Sequence, residues 1–441
     1  MAARHKPPGP QRLGILHLRR MRQDPLRFFL ELPRHYGPLT ALRFGPVHLL
    51  SVADPALATR VLVDDADGYK KGMALERARL VLGDGLLTSE DDLHRRQLLQ
   101  VGPALSPRRV ATYCDAIRAH AESADAHWHD GAIIDVGAEM ARLTLRIVAA
   151  TLFGSTLAPR DLDRVTGALT AVMEHFDWFV THPLGRLRAR IPTPRVRRLL
   201  GAREELRAIV DELIAGRRGD AGEDLLSELL AAGTMSDLQL RDEALTLMLA
   251  GHETTANWLT FTWLALSDHP DLAARMRDEL DQTLGTRPVM PADRPQLPYT
   301  CAVLEEALRL WPPAWGIGRR ARSERDLGTH TVPSQSLVSV CPYTMHRLPD
   351  LWEDPDRFDP QRWLDGRAAA VPRGGFIPFS DGPRKCVGEH FARAEALIII
   401  ATLARRWELR RVSDTPVRLD AKVTLRPHGR LPMRAVARRA P

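Results

Sequence analysis

Cysteine is scarce in this chain. Cys114, Cys301, Cys341 and Cys386 are the only four among 441 residues, and no two stand in a CxxC pair. A zinc or iron–sulfur centre held by cysteines is therefore poorly supported, and the scattered thiols agree with a reducing compartment. Aromatic residues are also few, at 6%, yet apolar residues together reach 44%, enough for a sizeable core. No apolar run of about 20 residues occurs, so no transmembrane anchor is expected. The polar, proline-containing start MAARHKPPGPQR gives no clear secretory signal either, and a cytoplasmic protein is the default expectation. No tandem repeat or long low-complexity tract is evident. A strongly one-sided charge balance is absent too: 62 Lys and Arg stand against 55 Asp and Glu, giving +7 with histidine neutral. That excess is diffuse. By itself it does not choose among an acidic partner, nucleic acid and a solvated surface.

What is present is mostly helix. PLRFFLELPRHYG (25–37) predicts a helix ended by its glycine, and LTALRFGPVHLLSVADP (39–55) predicts two short strands about Gly45 and Pro46. A further helix is expected from Asp92 to Leu105. Helices are also expected over Leu162–Val180 and Val196–Ala215. Between them THPLGRLRARIPTPR (181–195) holds proline and glycine breakers and predicts a loop, either a movable cover over a pocket or an ordinary basic connection. Ser236 with Gln239 resembles a capping box. It opens a helix of roughly 30 residues, ending near Asp268–Pro270 and long enough to span a domain core. The middle of that helix carries Gly251, His252, Glu253, Thr254 and Thr255, polar groups that need partners or a task. Short strands are expected in RRARSERDLGTHTVPSQSLVSVC, then a last strong helix from Glu389 to Arg406 and a strand-rich tail. The class is mainly α with small β-sheets (α+β).

One loop stands out, PFSDGPRKCVGEH (378–390). Cys386 sits between Gly382 and Gly388, behind Arg384 and Lys385, at the entrance to the last strong helix. A helix N-terminus has partial positive charge and spare backbone donors, which favour a thiolate. The glycines allow tight turns and close approach. FSDGPRKCVG resembles the heme-binding motif of the cytochromes P450, phenylalanine–x–x–glycine–x–arginine–x–cysteine–x–glycine. Phe379, Gly382, Arg384, Cys386 and Gly388 fill every fixed place. Three more segments resemble signatures of that family, in its order. AGHETT (250–255) is similar to the oxygen-activation segment, EALR (306–309) to the glutamate–x–x–arginine motif, and PDRFDPQRW (355–363) to the segment that packs against it. The resemblance runs from about Asp24 to Leu431. It implies the cytochrome P450 fold, with 1–23 as a proline-rich N-terminal segment and 24–441 as a single heme-thiolate monooxygenase domain.

The resemblance also distributes roles. Cys386 is implied as the axial iron ligand, whose thiolate pushes electron density toward oxygen–oxygen cleavage. Phe379 would shield the sulfur side, and Gly388 would allow close backbone geometry. Arg384, Arg319 and His94 would hold the heme propionates. Arg320 competes with Arg319 for that task. Four places after His94, where the family pattern often has a second basic residue, this chain has Leu98, leaving Arg95 or Arg96 as substitutes. Thr254 would donate a hydrogen bond on the oxygen-binding face, and Glu253 would conduct protons through waters. Gly251 would let oxygen and water reach the helix backbone. Glu306 and Arg309, three apart on one helix, would join Arg362 in a buried network supporting the cysteine loop; a surface salt bridge is the alternative.

Leu247, Ala250 and Thr254 are expected to line the substrate side. Trp315, Gly316 and Ile317 follow a proline break toward it, and Phe176, Trp178 and Phe179 would form its roof. Each apolar one can equally be core. The activity implied is insertion of one oxygen atom from O2 into an apolar secondary-metabolite substrate, with a terpenoid as the leading class. Alternatives are a fatty-acid hydroxylase and a heme-thiolate ligand-binding or sensor protein. The implied cofactor is heme b (iron protoporphyrin IX). The chain has no evident flavin or iron–sulfur domain, so electrons from NAD(P)H would arrive through a separate ferredoxin and ferredoxin reductase. A monomer without a nucleic-acid partner is expected.

Overall fold

The computed structural model describes residues 7–10, 14–154, 159–181, 193–219, 222 and 224–438. The chain forms two compact units. The first comprises Met1–Arg77, Leu308–Cys386 and Ala421–Leu425; the second comprises Ala78–Ala307, Val387–Asp420 and Arg426–Pro441.

The first unit is built around a five-stranded sheet. Its strands lie in the order Leu39–Phe44, Val47–Val52, Leu337–Val340, Ile317–Ala321, Tyr69–Lys71. The first two form the expected hairpin, Phe44 opposite Val47, turning at Gly45 with φ +61°. Val47–Val52 pairs parallel with Leu337–Val340, and the remaining pairs are antiparallel. Alternate residues such as Leu50, Val52, Val338 and Val340 point into an apolar cluster that also takes Val61, Leu62 and Tyr69. The helix Pro25–Tyr36 begins where Asp24 caps the Arg27 N–H at 3.0 Å and ends at Gly37, φ +89°. A further helix, Gly14–Gln23, occupies part of the segment expected to be only proline-rich. Proline stops at Pro10, and GILHLRRMRQ contains no breaker after its glycine.

The second unit is helical. Its 32-residue helix Asp237–Asp268 starts at Ser236, whose Oγ accepts from the Gln239 N–H at 3.3 Å. It packs against Val136–Leu152, where Thr144 Oγ1 donates to the His252 carbonyl at 3.1 Å. Pro159–Thr181 packs with Pro194–Arg217, and Pro107–Ala124 with Glu389–Arg406. Residues 182–192 of the expected loop lie outside the described residues. The helix expected from Asp92 to Leu105 is Asp91–Val101 followed by a single tighter turn, Gly102–Leu105; Pro103 lacks the N–H that the α-helical ladder needs. Glu389–Arg406 has the expected bounds. The tail strands Trp407–Arg411 and Pro432–Ala437 pair antiparallel, and Ile133–Asp135 joins the second of them. Among the described residues no helix is long and apolar enough to cross a membrane.

Candidate active site

In the first unit, the loop Ile377–Cys386 folds back on itself. Ser380 N–H donates to Ile377 O at 3.1 Å, Lys385 N–H to Gly382 O at 3.0 Å, and Cys386 N–H to Phe379 O at 2.9 Å. Asp381 accepts from the Gly382 N–H at 2.7 Å and pairs with Arg373 at 2.9 Å. Burial would raise that carboxyl, but Arg373 and the Gly382 N–H outweigh it and hold the group below the ordinary carboxylate range. Gly382 has φ +74°, and a Cβ there would collide with the Leu62 carbonyl oxygen. The turn therefore requires glycine. Cys386 is exposed, whereas Cys114 and Cys341 are buried and Cys301 is partly so. Burial pushes the Cys114 thiol up to about 11 and raises those of Cys301 and Cys341. Those three are poor thiolate formers.

Two arginines of the same unit carry rigid positive forks. Arg384 donates through Nη1 to Ala66 O at 2.9 Å and through Nη2 to Tyr69 O at 3.0 Å. Strand alternation separates Arg319 from Arg320. Arg319 is buried on the face it shares with Ile317 and Ala321, while Arg320 clasps Glu76 through Nε and Nη2 at 3.0 and 3.1 Å. Arg320 is thus already committed to a carboxylate. Trp315 is half-buried, with its Nε1 donating to Lys422 O at 2.8 Å, and Ile317 packs into the sheet's apolar cluster.

Arg309 and Arg362 are buried, not a surface pair. Arg309 Nη1 donates to His346 O and Pro355 O at 2.8 and 2.6 Å, and Nη2 to Arg357 O at 3.1 Å. Its guanidinium lies over the Trp352 ring, 5.2 Å from the centroid. Arg362 Nη1 donates to Glu353 O at 2.9 Å. One residue absent from the sequence reading joins them. The Ile377 N–H donates to His346 Nε2 at 3.0 Å, so the ring proton sits on Nδ1, which donates to Arg309 O at 3.1 Å. His346 thereby ties the start of the cysteine loop to the backbone of Arg309. Its only sequence signal was a histidine ending the short buried turn PYTMH.

The second unit carries the remaining residues. Gly388 caps the helix Glu389–Arg406, and Glu306 is fully buried. His94 is half-buried, with Nδ1 at 3.1 Å from Leu86 O. Arg95 is exposed and pairs with Asp92, and Arg96 is exposed. Leu98 lies one turn after His94, so the expected second basic residue is not supplied on that face. On the long helix, Thr254 Oγ1 donates to Ala250 O at 2.6 Å, and Ala250 is exposed. Glu253 is half-buried and faces Arg426 at 4.0 Å, which also reaches Asp420 at 3.5 Å. A Cβ on Gly251 would meet Val148 at 3.0 Å. Burial pulls the His252 imidazole from 6.5 to about 4, and its Nδ1 has no hydrogen-bond partner among the described residues. Leu247 is buried in a narrow apolar crevice with Phe153, Leu226 and Ala244. Phe176, Trp178 and Phe179 belong to the helix Pro159–Thr181, but their side chains lie outside the described residues.

A heme needs a soft thiolate for its iron and rigid cations for two carboxylates. An exposed cysteine on a glycine-dependent loop, with Arg384 and Arg319 in the same unit, matches that donor set, and the residues present fit the group.

Comparison with known proteins agrees with this chemistry. The Cytochrome P450 family model matches residues 6–431. Cyclooctatin synthase of Streptomyces melanosporofaciens is 39% identical over 419 residues, covering 93% of this chain and 91% of that protein. Pentalenene oxygenase of Streptomyces avermitilis is 36% identical over 431 residues, covering 96% and 95%. The crystal structure of the cytochrome P450DA heme domain is similar with a TM-score of 0.88 at 26% identity, covering 99% of this chain and 98% of that one. With four motifs in order along a matching fold, the chain belongs to the cytochrome P450 family and is a heme-dependent monooxygenase.

Proposed function

We propose that this enzyme inserts one oxygen atom from O2 into a terpenoid of secondary metabolism. The observation that carries the substrate class is near-full-length similarity to cyclooctatin synthase and pentalenene oxygenase. The cofactor is heme b, and it supplies oxygen activation and the electron push of its sulfur ligand when bound.

The chain's own residues then have separable tasks. Cys386 holds the iron, and the cross-bonded loop with Gly382 and Gly388 fixes the direction of its sulfur. Arg384, Arg319 and His94 hold the propionates, and Phe379 covers the sulfur side. Glu306, Arg309 and Arg362 support the cysteine loop, with His346 as an added link. Thr254 offers its hydroxyl on the oxygen side, releasing the Ala250 carbonyl when it does so. Glu253 passes protons inward, and Arg426 holds its carboxylate in position. Leu247, Ala250 and Trp315 border the substrate. Ile317 serves the sheet core instead. Residues 24–441 work as one catalytic domain, as a monomer in the cytoplasm. Electrons come from NAD(P)H through a ferredoxin reductase and a ferredoxin.

The first test is spectroscopic. The reduced protein with carbon monoxide should show the red-shifted absorption of a heme thiolate, and Cys386→Ala should lose it. The substrate class is tested by titrating the oxidised protein with terpenoids, fatty acids, macrolides and aromatic peptides. A spectral shift with terpenoids, followed by oxygenated product in the presence of ferredoxin and reductase, supports the reading. Shifts and products with fatty acids alone would replace it.

A further inference from the structure

Two acidic residues on the long helix have no part in the tasks above. Asp242 and Glu243 interrupt the apolar run of DEALTLMLAG and are buried, at 4% and 0% exposure. Both aim at one loop of the same unit, Gly83–Ser89. Asp242 Oδ2 accepts from the Asp84 N–H at 2.8 Å, and Glu243 Oε2 accepts from the Leu86 N–H at 2.9 Å. The carbonyls of the same two residues are taken from the other side. Gln97, also fully buried, donates to Asp84 O at 2.6 Å, and His94 Nδ1 stands 3.1 Å from Leu86 O. Thr88 Oγ1 closes the loop on Gly83 O at 2.7 Å.

The loop can come this close only because it is made of glycine at two positions. Gly83 has φ +66°, and a Cβ on it would strike the Asp242 carboxylate; one on Gly85 would strike Thr246 Oγ1. Leu86 is therefore gripped at both ends, its N–H by a carboxylate and its C=O by an imidazole. A carbonyl only accepts, so the His94 ring carries a proton on Nδ1, and it donates from Nε2 to a carboxylate as the imidazolium, protonated on both nitrogens. Which nitrogen of a histidine faces a ligand is commonly set by such a second partner.

We propose that Glu243 is a positioning residue for His94. Acting through the Leu86 peptide, it fixes the rotation of the imidazole and so contributes to heme retention without touching the heme. This rests on the reading of His94 as a propionate donor. Without the carboxylate, the Leu86 N–H must seek another acceptor, the loop shifts, and the His94 ring loses the carbonyl that orients it. By analogy with the outer partners of metal-binding histidines, the effect should be roughly tenfold.

The experiment measures loss of heme from the purified holoenzyme to excess apomyoglobin. Glu243→Ala should lose heme about tenfold faster, while Glu243→Gln, which keeps the acceptor oxygen, should stay near the parent rate. His94→Ala should also be faster, and the double variant with Glu243→Ala no faster than His94→Ala alone. Multiplying rates in the double variant would overturn the proposal, because they would mean a general weakening of the fold. A parent-like rate for Glu243→Ala beside a fast His94→Ala would overturn it too, leaving the role of His94 intact. A parent-like rate for His94→Ala would instead remove the reading of His94 on which the proposal stands. Should Glu243→Ala yield no folded holoenzyme, Glu243→Asp decides. It withdraws the oxygen by one methylene, so a fast Asp variant beside a parent-like Gln variant supports the link, and two parent-like rates overturn it.

Discussion

Arg309 and Arg362 in the first unit and the AGHETT segment in the second bury polar groups in opposite ways. Each arginine is sunk among backbone carbonyls, and Arg309 alone spends its guanidinium on His346, Pro355 and Arg357. Its neighbour His346 uses both ring nitrogens. On the long helix, among the described residues, His252 is buried with Nδ1 unmatched and Thr254 bonds the carbonyl one turn back. A satisfied network is rigid, because every departure leaves a buried donor behind. A threonine bonded to its own helix can exchange that bond for another at little cost. Support of the cysteine loop needs the first property, and delivery of protons needs the second.

The largest effect should come from breaking the satisfied side. Arg309→Ala leaves three backbone carbonyls and a tryptophan face without their cation. Loss of one partner from a buried charged network costs about 3–5 kcal/mol. Arg309→Ala and Glu306→Ala should therefore yield little heme-loaded protein. Normal heme content and an unchanged melting temperature would remove the network from its supporting role.

Thr254→Ala probes the adaptable side and should leave heme content and substrate binding near the parent. Product formed per electron consumed should fall several-fold, with reducing equivalents appearing as peroxide or water, since general acid catalysis contributes roughly 100-fold or more where it acts. Equal product per electron in the two proteins would count against proton delivery through this hydroxyl.

The contrast between these regions was only partly legible in the sequence. The glycine-flanked loop and the start of the long helix were legible because local geometry demands particular residues there: glycine at positive φ at Gly382, and a cap at Ser236. Periodicity found the helices Asp237–Asp268 and Glu389–Arg406 for the same reason. What escaped depends on residues far apart in the chain. Nothing local to DEALT announces that its carboxylates cap Asp84 and Leu86, some 157 residues away. Arg319 and Arg320 look alike until strand alternation turns one inward and hands the other to Glu76. Ile317 follows the proline break expected to reach the substrate, yet the sheet claims its side chain. His346 escaped because a single histidine in a turn has no pattern.

His252 sharpens the comparison through pH. Its pKa falls from 6.5 unfolded to about 4 in the fold because burial disfavours the cation. Below the higher value the unfolded chain binds a proton that the folded chain refuses. The native state thus keeps its full stability above that value and loses it as pH falls toward the lower one, by up to about 1.4 kcal/mol per unit. His346 shifts the same way and is also buried, so the informative quantity is a difference. Urea unfolding of His252→Gln should show a shallower loss of stability through this window than the parent. Parallel curves would mean that His252 takes its proton at an ordinary pH in the fold.

Glu395 should give the smallest effect, with the opposite pH dependence. It is fully buried on the helix Glu389–Arg406, and neither carboxyl oxygen makes a well-formed hydrogen bond among the described residues. Burial holds the group well above its ordinary value of 4.5, and the Thr255 hydroxyl offsets that only in part. A raised carboxyl pKa means that the fold retains a proton which the unfolded chain releases. Its stabilising contribution is complete below the ordinary value and is lost as pH rises toward the folded one. Glu395→Gln keeps the shape and stays neutral at every pH. It should match the parent in acid and become the more stable protein as pH rises past the ordinary carboxyl value toward neutrality. Paired urea titrations over that range provide the check. A Gln variant that is less stable by a constant amount would instead mean that Glu395 is ionised in the fold and held by a partner, making this helix pair as fully matched as the arginine network.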